Sequence, residues 1–270
     1  MYKAQEIAEI FEIIAPKDTG VPGDELGFLY GDPNSEVTGL ACMWNAHSKS
    51  IQSCAEKKIN MVIIHEALFL PPQNSPWYEA PRESEIYSNE VRKSLLDKKS
   101  IVVYRSHSNW DALKDDGVAD QAVKALGIPG LKCKVKKQFF SIQELPDKIP
   151  VIELKKKINE GLDFSQSRIF GDPEKPIRTF AFLIGGFGEN QLHLPQIARD
   201  LGAEAIIMGE MSEFILISCL EMGLPVIESL HSVSEIPAIK RQAAILKEKL
   251  PGLPVHYIPS GAMAFHKGGF

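Results

Sequence analysis

The sequence is poor in cysteine and has no strong excess of charge of either sign. Its four cysteines, at positions 42, 54, 133 and 219, form no C-x-x-C pair, which excludes a zinc ribbon and a dithiol redox motif. Lysine and arginine total 30 against 35 aspartates and glutamates, so the net charge of -5 gives no electrostatic case for binding nucleic acid. The basic stretch 132–137 alternates with apolar residues and is explained more simply as a strand with one solvated face.

The sequence also lacks long apolar runs and the motifs of covalent catalysis. No apolar run is long enough to cross a bilayer, and residues 1–16 carry acidic side chains that fit an amphipathic helix rather than a secretory signal. No G-x-S-x-G elbow and no cysteine-nucleophile motif is present, which removes support for acyl-enzyme chemistry. We therefore expect a cytoplasmic protein with no membrane partner, and cysteines that are buried as small apolar residues.

Apolar periodicity predicts strands that alternate with helices, which is typical of parallel βαβ units. We predict an α/β fold of two halves with mixed or parallel sheets, helices on the outer faces and a metal cleft between the halves. The glycine- and proline-rich stretch 127–130 predicts the boundary between the halves, which are 1–130 and 131–270. Whether the last segment returns to the first half stays open. The predicted helices are 3–15, 48–57, 83–98, 118–126, 151–159, 190–201, 212–222 and 238–250, and the predicted strands are 26–30, 37–43, 61–64, 101–104, 134–140, 178–184, 205–208, 226–228 and 255–258, with an irregular loop over 71–81.

Potential metal ligands follow three of the predicted strands. Strand 61–64 runs into His65-Glu66, strand 101–104 into His107-Ser108-Asn109-Trp110-Asp111, and strand 226–228 into His231-Ser232-Val233-Ser234-Glu235. Ligands of open α/β sheets bind outside the carboxyl ends of the strands, so these side chains could converge. Imidazole nitrogen and carboxylate oxygen together suit divalent transition metals.

Each motif also has a structural interpretation. His65 could be a core histidine beside a helix-capping Glu66, and Asp111 could simply close a turn. His231 and Glu235 have the i, i+4 spacing that puts two side chains on one helical face, whereas Ser232 and Glu235 fit a capping box. Pro237 argues against that capping box, because it would then lie inside the helix. If Ser234 is the cap instead, Pro237 falls in the first turn, where backbone N–H groups are unpaired anyway.

Two glycine motifs follow other predicted strands. Gly185-Gly186-Phe187-Gly188 allows close backbone approach or anion binding, and we favour tight packing at a strand–helix turn. In Met208-Gly209-Glu210, the glutamate either orients the site or caps a helix. The remaining histidines, at positions 47, 193, 256 and 266, have no carboxylate neighbour at a useful spacing, so we interpret them as structural or surface residues.

In their order, these motifs resemble the Nif-three-like family of dinuclear-metal, hexamer-forming proteins, which bear the name GTP cyclohydrolase 1 type 2. That family carries His-His-Pro, His-Thr-Asn-x-Asp, Gly-Gly-Ser-Gly, Thr-Gly-Glu and Gly-His-x-x-x-Glu in turn. The present chain has His65-Glu66-Ala67, His107 to Asp111, Gly185 to Gly188, Met208-Gly209-Glu210 and Leu230 to Glu235 at these places. The early Asp24-Glu25-Leu26-Gly27 resembles the family's Asp-Asn-x-Gly-Leu.

The resemblance implies that His65, Asp111, His231 and Glu235 bind two divalent ions, with Glu235 bridging them. Glu66 stands where the family has its second histidine. It either ligates, which favours manganese or iron(II) over zinc, or leaves one metal position weak or empty. The family's early Ala-Leu-Asp is replaced by Ala41-Cys42-Met43, so an outer-shell aspartate is also missing.

The function expected from this is metal-assisted hydrolysis of a small molecule, such as a nucleotide or cyclic amide, with His107 as the general acid or base. Two alternatives stay open: a metal carrier or sensor without catalysis, and a scaffold that binds protein partners. An open coordination position would favour catalysis, and a closed ligand shell would favour storage. The resemblance further implies a homohexamer.

Overall fold

The computed structural model of the protein describes residues 1–71, 79, 81–137, 140–188 and 191–266. The chain forms two compact units, one of Met1–Trp110 with Ile239–Phe270 and the other of Asp111–Ala238. Each unit contains helices and a sheet that mixes parallel with antiparallel strands, so the predicted mixed α/β fold class is confirmed. In these described ranges no helix is both long and apolar enough to cross a membrane.

The first unit is built on a five-stranded sheet of order β13-β4-β5-β6-β2. Strands β13, β4, β5 and β6 are mutually parallel, and β2 runs antiparallel to β6 at the edge. The elements of this unit, in chain order, are β1 (Tyr2–Lys3), α1 (Ala4–Ile14), β2 (Gly27–Tyr30), β3 (Glu36–Val37), β4 (Leu40–Met43), α2 (Ser48–Glu56), β5 (Met61–Ile64), α3 (Tyr87–Lys99), β6 (Val102–Arg105), the start of α4 (Ser108–Asp111) and, after the second unit, β13 (Val255–Tyr257).

The central strands of this sheet are buried on both faces, which explains their unbroken apolar sequences. All four residues of β4 and all four of β5 are buried. The strand predicted over 37–43 is broken, however, because Thr38 turns away from the sheet. Its backbone N–H and its hydroxyl both bond the side-chain oxygen of Asn60. Strand β3 therefore pairs with β1, and β4 starts anew beside β5.

The second unit is built on a six-stranded sheet of order β7-β8-β10-β11-β12-β9. Strands β10, β11 and β12 are parallel, and the outer pairs β7/β8, β8/β10 and β12/β9 are antiparallel. Its elements are α5 (Val118–Ala125), β7 (Lys132–Lys136), β8 (Phe140–Pro150), α6 (Val151–Gly161), β9 (Arg168–Phe170), β10 (Pro176–Phe187), α7 (His193–Asp200), β11 (Ile206–Met211), α8 (Glu213–Glu221), β12 (Val226–Glu228) and the start of α9 (His231–Lys249).

The prediction of one strand over 134–140 is wrong, because two antiparallel strands, β7 and β8, occupy this region. Strand β8 contains Pro146, which normally indicates a turn. Pairing with β10 is irregular at this point: Glu144 lies opposite Thr179 and Ile149 opposite Ile177, so residues 145–148 bulge against a single residue of β10. Such a bulge tolerates a proline because its residues need not donate to the ladder.

Cys133 corrects the expectation that every cysteine is buried. Cys42, Cys54 and Cys219 are buried, but Cys133 lies on β7 and is exposed. Strand β7 is an edge strand whose lysines face solvent, as expected for the basic stretch. Most of the predicted loop over 71–81, and the predicted start of a helix at 190, lie outside the described residues.

Candidate metal centre

The first group of predicted ligands lies at the carboxyl ends of β5 and β6. His65 follows β5 directly, and its side chain is buried, with Nδ1 placed 3.2 Å from the carbonyl oxygen of Ser106. A carbonyl only accepts, so Nδ1 carries the proton and the lone pair of the neutral ring is on Nε2. Metal-binding histidines commonly make this contact, which fixes the tautomer and the ring orientation.

Glu66 and His107 lie beside His65. The imidazole rings of His65 and His107 are 4.9 Å apart between centroids, in an edge-to-face arrangement. A ring nitrogen of His65 lies within 4.8 Å of a ring nitrogen of His107, and one also lies within 4.8 Å of a Glu66 carboxylate oxygen. Nε2 of His107 is 3.8 Å from Oε1 of Glu66. The first unit thus places two imidazoles and one carboxylate together.

His107 is oriented by Asp24, which precedes β2. Asp24 Oδ2 is 2.9 Å from Nδ1 of His107 and also accepts the backbone N–H and the hydroxyl of Ser108. Asp24 Oδ1 accepts from Arg105 at 2.7 Å. Burial alone would raise the pKa of the Asp24 carboxyl, but the bonds from Ser108 and the contact with His107 outweigh it and hold this pKa well below its usual range.

The consequence for His107 is a defined tautomer. Because the Asp24 carboxylate only accepts, Nδ1 of His107 carries a proton, and Nε2 faces the Glu66 carboxylate. In the neutral ring two basic atoms, Nε2 and Oε1, then stand opposite one another, an arrangement that a shared proton or a cation stabilises. Asp111 ends the short helix α4 four residues after His107, is partly buried and begins the second unit.

The second group of predicted ligands lies in the first turns of α9. Nε2 of His231 is 3.2 Å from Oε1 of Glu235, and Nδ1 of His231 is 3.1 Å from Oε1 of Glu210. The side chain of Glu235 is 7% exposed, whereas that of Glu210, on β11, is 56% exposed. His231 and Glu235 thus lie on one helical face, as their i, i+4 spacing predicts, and Glu210 contacts His231 from within a strand rather than capping a helix.

The helix that carries this pair begins earlier than Pro237 suggests. Helix α9 starts at His231 and contains Pro237, so the predicted start of this helix at residue 238 is wrong and Ser234 is not its cap. Ser234 closes the first turn instead, since its N–H bonds the carbonyl of Leu230 and its hydroxyl bonds the carbonyl of His231. Proline costs the helix one backbone bond here, but the turn before it is already secured.

Glycines leave room for the His231–Glu235 pair. A Cβ added at Gly185 would lie 2.7 Å from Oε1 of Glu235 and 3.1 Å from Nε2 of His231, and one at Gly186 would lie 2.8 Å from Nδ1 of His231. A Cβ at Gly209 would lie 2.8 Å from the Cα of His231. Gly185 and Gly186 belong to β10 rather than to a strand–helix turn, so they pack against the predicted ligands. The sequence signal for this arrangement is the pair of consecutive glycines itself.

The donors in each unit fit a divalent transition metal. The first unit offers imidazole nitrogens and the Glu66 carboxylate, and the second offers His231 with Glu235. This mixture suits zinc, manganese and iron(II), all of which bind histidine and carboxylate ligands. Sequence reasoning missed Arg105, because a single arginine at a strand end carries no motif, and it gave Asp24 only through the resemblance.

The sequence matches the model of a known protein family over almost its full length. The model of Duf34/NIF3 (NGG1p interacting factor 3) matches residues 2–261, nearly the whole chain. The chain belongs to the Duf34/NIF3 family. Among curated members, the GTP cyclohydrolase 1 type 2 homolog of Clostridium acetobutylicum is 26% identical over 264 residues, covering 93% of this chain and 90% of that protein. The homolog of the same name from Clostridium perfringens is 26% identical over 258 residues, covering 92% of each.

Solved structures of the NIF3 family share the fold. The crystal structure of a Bacillus cereus protein related to NIF3 matches with a TM-score of 0.79 at 14% identity, covering 97% of this chain and 98% of that one. At that identity the match shows the fold alone.

Proposed function

We propose that the chain binds two divalent metal ions through His65, Glu66 and Asp111 together with His231 and Glu235, and that it hydrolyses a small molecule there. The observation that carries the proposal is the His231–Glu235 pair, held 3.2 Å apart in space that two consecutive glycines leave open. A Cβ on either glycine would come into contact with this pair. The two glycines of β10 therefore leave the space that these polar side chains occupy.

The choice of metal follows from the donors. Glu66 in place of a second histidine adds a negative charge and an oxygen donor, which favours manganese or iron(II), with zinc as the third candidate. When bound, such ions supply Lewis acidity, which makes water a nucleophile at neutral pH.

His107 is the residue we propose as general acid and base. Asp24 holds the proton on its Nδ1, so Nε2 is the atom that takes a proton from the attacking water and returns it to the leaving group. Arg105 holds Asp24 from its other oxygen, so the carboxylate stays ionised and keeps the ring in this orientation. His107 thus acts beside the metal ligands rather than as one of them.

The relatives' name, GTP cyclohydrolase 1 type 2 homolog, supports a purine nucleotide or another cyclic amide as the substrate class. The family resemblance supports a homohexamer. Light scattering on a sizing column checks the assembly, with a hexamer of 29.9 kDa chains as the expected result.

The decisive experiment is elemental analysis of protein expressed in metal-replete medium. We expect about two transition-metal ions per chain. His231→Ala is expected to lose metal while keeping its helical circular dichroism, and His193→Ala, an exposed histidine on α7, is the matched control that keeps its metal. Absence of metal from the wild type, or unchanged metal in folded His231→Ala, contradicts the site.

Catalysis needs a separate measurement. Metal-loaded protein is screened with manganese present against nucleotides, cyclic amides and phosphoesters, and His107→Gln is the test variant. We expect it to keep its metal and to lose about 100-fold or more in rate, because a general base contributes on this scale. Metal-loaded wild type that turns over none of these classes leaves a metal carrier as the function.

A further inference from the structure

The first unit contains a cavity of about 370 Å³ that the metal proposal does not use. Its walls are Trp44 and Asn45 after β4, Gly261 and Ala262 beyond β13, and residues of α3. This volume lies within the range of small-molecule sites, roughly 300–1,000 Å³.

Arg92 places a positive charge in the wall of this cavity. One N–H of its guanidinium bonds the carbonyl of Leu68, and a guanidinium has five such donors. Burial lowers the pKa of Arg92, and within the described part of the chain no carboxylate forms an ion pair with it. The described lining residues include no aspartate and no glutamate. A partly buried cation without a counter-charge is costly, and an anion in the cavity would relieve that cost.

The surroundings reinforce this positive potential. The Lys49 ammonium lies 5.4 Å from the centre of the Phe265 ring and bonds the carbonyl of Ala264. His47 is buried, and its Nδ1 accepts the N–H of Ser50, so the ring carries its proton on Nε2. Burial first, and then the charges of Arg92 and Lys49, lower the pKa of His47 to about 4. His47 is therefore neutral at pH 7, and the charge that a ligand meets is that of Arg92 and Lys49.

Aromatic rings form much of the remaining lining. Trp44, Tyr87 and Phe265 all line the cavity, and Phe265 lies against His47 with ring centroids 4.6 Å apart. Tyr87 is 78% exposed and Phe265 is 52% exposed, although large aromatic side chains normally bury most of their surface. Exposed rings at a concave site offer faces on which a planar ligand stacks.

From the cation without a counter-charge and the aromatic walls, we infer that this cavity binds a small aromatic carboxylate, with the carboxylate on Arg92 and the ring against the aromatic side chains. Arginine suits this role because its planar fork matches a carboxylate with two parallel hydrogen bonds. The site is independent of the metal proposal, since no predicted metal ligand lines it.

The test measures benzoate binding to the full-length protein by ligand-observed NMR, on metal-free and on metal-loaded samples. We expect saturable binding to both with a Kd on the order of 1 mM, a reasonable affinity for a ligand of this size. Cyclohexanecarboxylate has the charge without the aromatic ring, and benzamide has the ring without the charge. Each is expected to bind about tenfold more weakly or worse. Equal binding of all three, or no saturation by benzoate, overturns the inference.

Variants locate the binding. Arg92→Gln removes the charge and is expected to weaken benzoate by about tenfold or more. Lys93→Gln, at the exposed neighbouring position outside the cavity, is the matched control and keeps wild-type affinity. If Arg92→Gln does not fold, Val91→Trp decides the matter, because it fills the cavity and leaves Arg92 in place. Wild-type benzoate affinity in folded Arg92→Gln or in folded Val91→Trp places the ligand elsewhere and overturns the inference.

Discussion

The Asp24 carboxylate and the His107 imidazole contact each other across 2.9 Å, between Oδ2 and Nδ1. Arg105 bonds the other carboxylate oxygen, so Asp24 joins the end of β6 to the loop before β2. This contact fixes which nitrogen of His107 carries the proton. It makes Asp24 the residue that positions the proposed general base.

Asp24→Asn tests this relationship through stability and its dependence on pH. We expect the free energy of unfolding at pH 7 to fall by about 2 kcal/mol, since charge-assisted hydrogen bonds are lost. The folded-state pKa of Asp24 is held well below its ordinary value. Its contribution is therefore present above about pH 4 and is lost as the pH falls towards the folded-state pKa. Urea unfolding at a series of pH values measures this.

In acid, then, the stability difference between wild type and Asp24→Asn should shrink. Asp18→Asn, at an exposed carboxylate in the same part of the chain, is the control and should show little difference at any pH. A difference for Asp24→Asn that stays constant from pH 7 to about pH 3 would mean that the carboxylate is not the source of the effect.

Arg105→Met should lower the free energy of unfolding strongly, because the Arg105 side chain bonds several groups at once. The Arg105 side chain is 7% exposed and bonds Asp24 as well as the backbone carbonyls of Glu25 and His65. Removing it leaves a largely buried carboxylate without its cation, and we expect a loss of about 3 kcal/mol in the free energy of unfolding. The matched control is Arg82→Met, whose ion pair with Glu85 is exposed and long at 3.9 Å, and which should cost under about 0.5 kcal/mol. Similar losses in the two variants would contradict the buried role.

The strand ends that carry the proposed ligands were predictable. Strands buried on both faces have short apolar sequences, and the polar residue after each apolar run marks the end of the strand. His65 after β5 and His231 at the start of α9 follow this rule. The i, i+4 spacing of His231 and Glu235 was enough to predict their common helical face, and their contact at 3.2 Å agrees with it.

Features that depend on pairing between distant segments were not predictable. Strand β8 includes a proline, which by local preference predicts a turn. The strand continues past this proline because its pairing with β10 is bulged there. Helix α9 was expected to begin after His231, because Pro237 is unfavourable inside a helix when judged by local preference alone. Contacts such as that of Asp24 with His107 join residues 83 positions apart and have no local signature.

The cysteines give a simple chemical test of the fold. Burial raises the pKa of the Cys54 thiol to about 12 and that of Cys219 to about 11, and Cys42 is shifted in the same direction. Only thiolates react, so these three should be inert in the native protein, whereas the exposed Cys133 should react. Titration with a disulfide reagent should give one fast thiol before unfolding and four after it. Cys133→Ser should abolish the fast reaction, and a fast phase that survives it would contradict the burial of the other three.

Gly185→Ala separates the space that the proposed metal ligands need from the general cost of losing a glycine. Gly185 has φ of 82°, so any substitution there is strained, and its new Cβ would also lie 2.7 Å from Oε1 of Glu235. Gly202 has a comparable φ of 93° but has open space where a Cβ would be, which makes Gly202→Ala the matched control. We expect each variant to lose about 1 kcal/mol in the free energy of unfolding from backbone strain alone, with a further loss for Gly185→Ala from the clash.

Metal content per folded chain should fall in Gly185→Ala only, because the carboxylate must move away from His231. Full metal content in folded Gly185→Ala would show that the ligands do not depend on this gap in β10, and equal metal loss in Gly202→Ala would show that the effect is one of stability rather than of space.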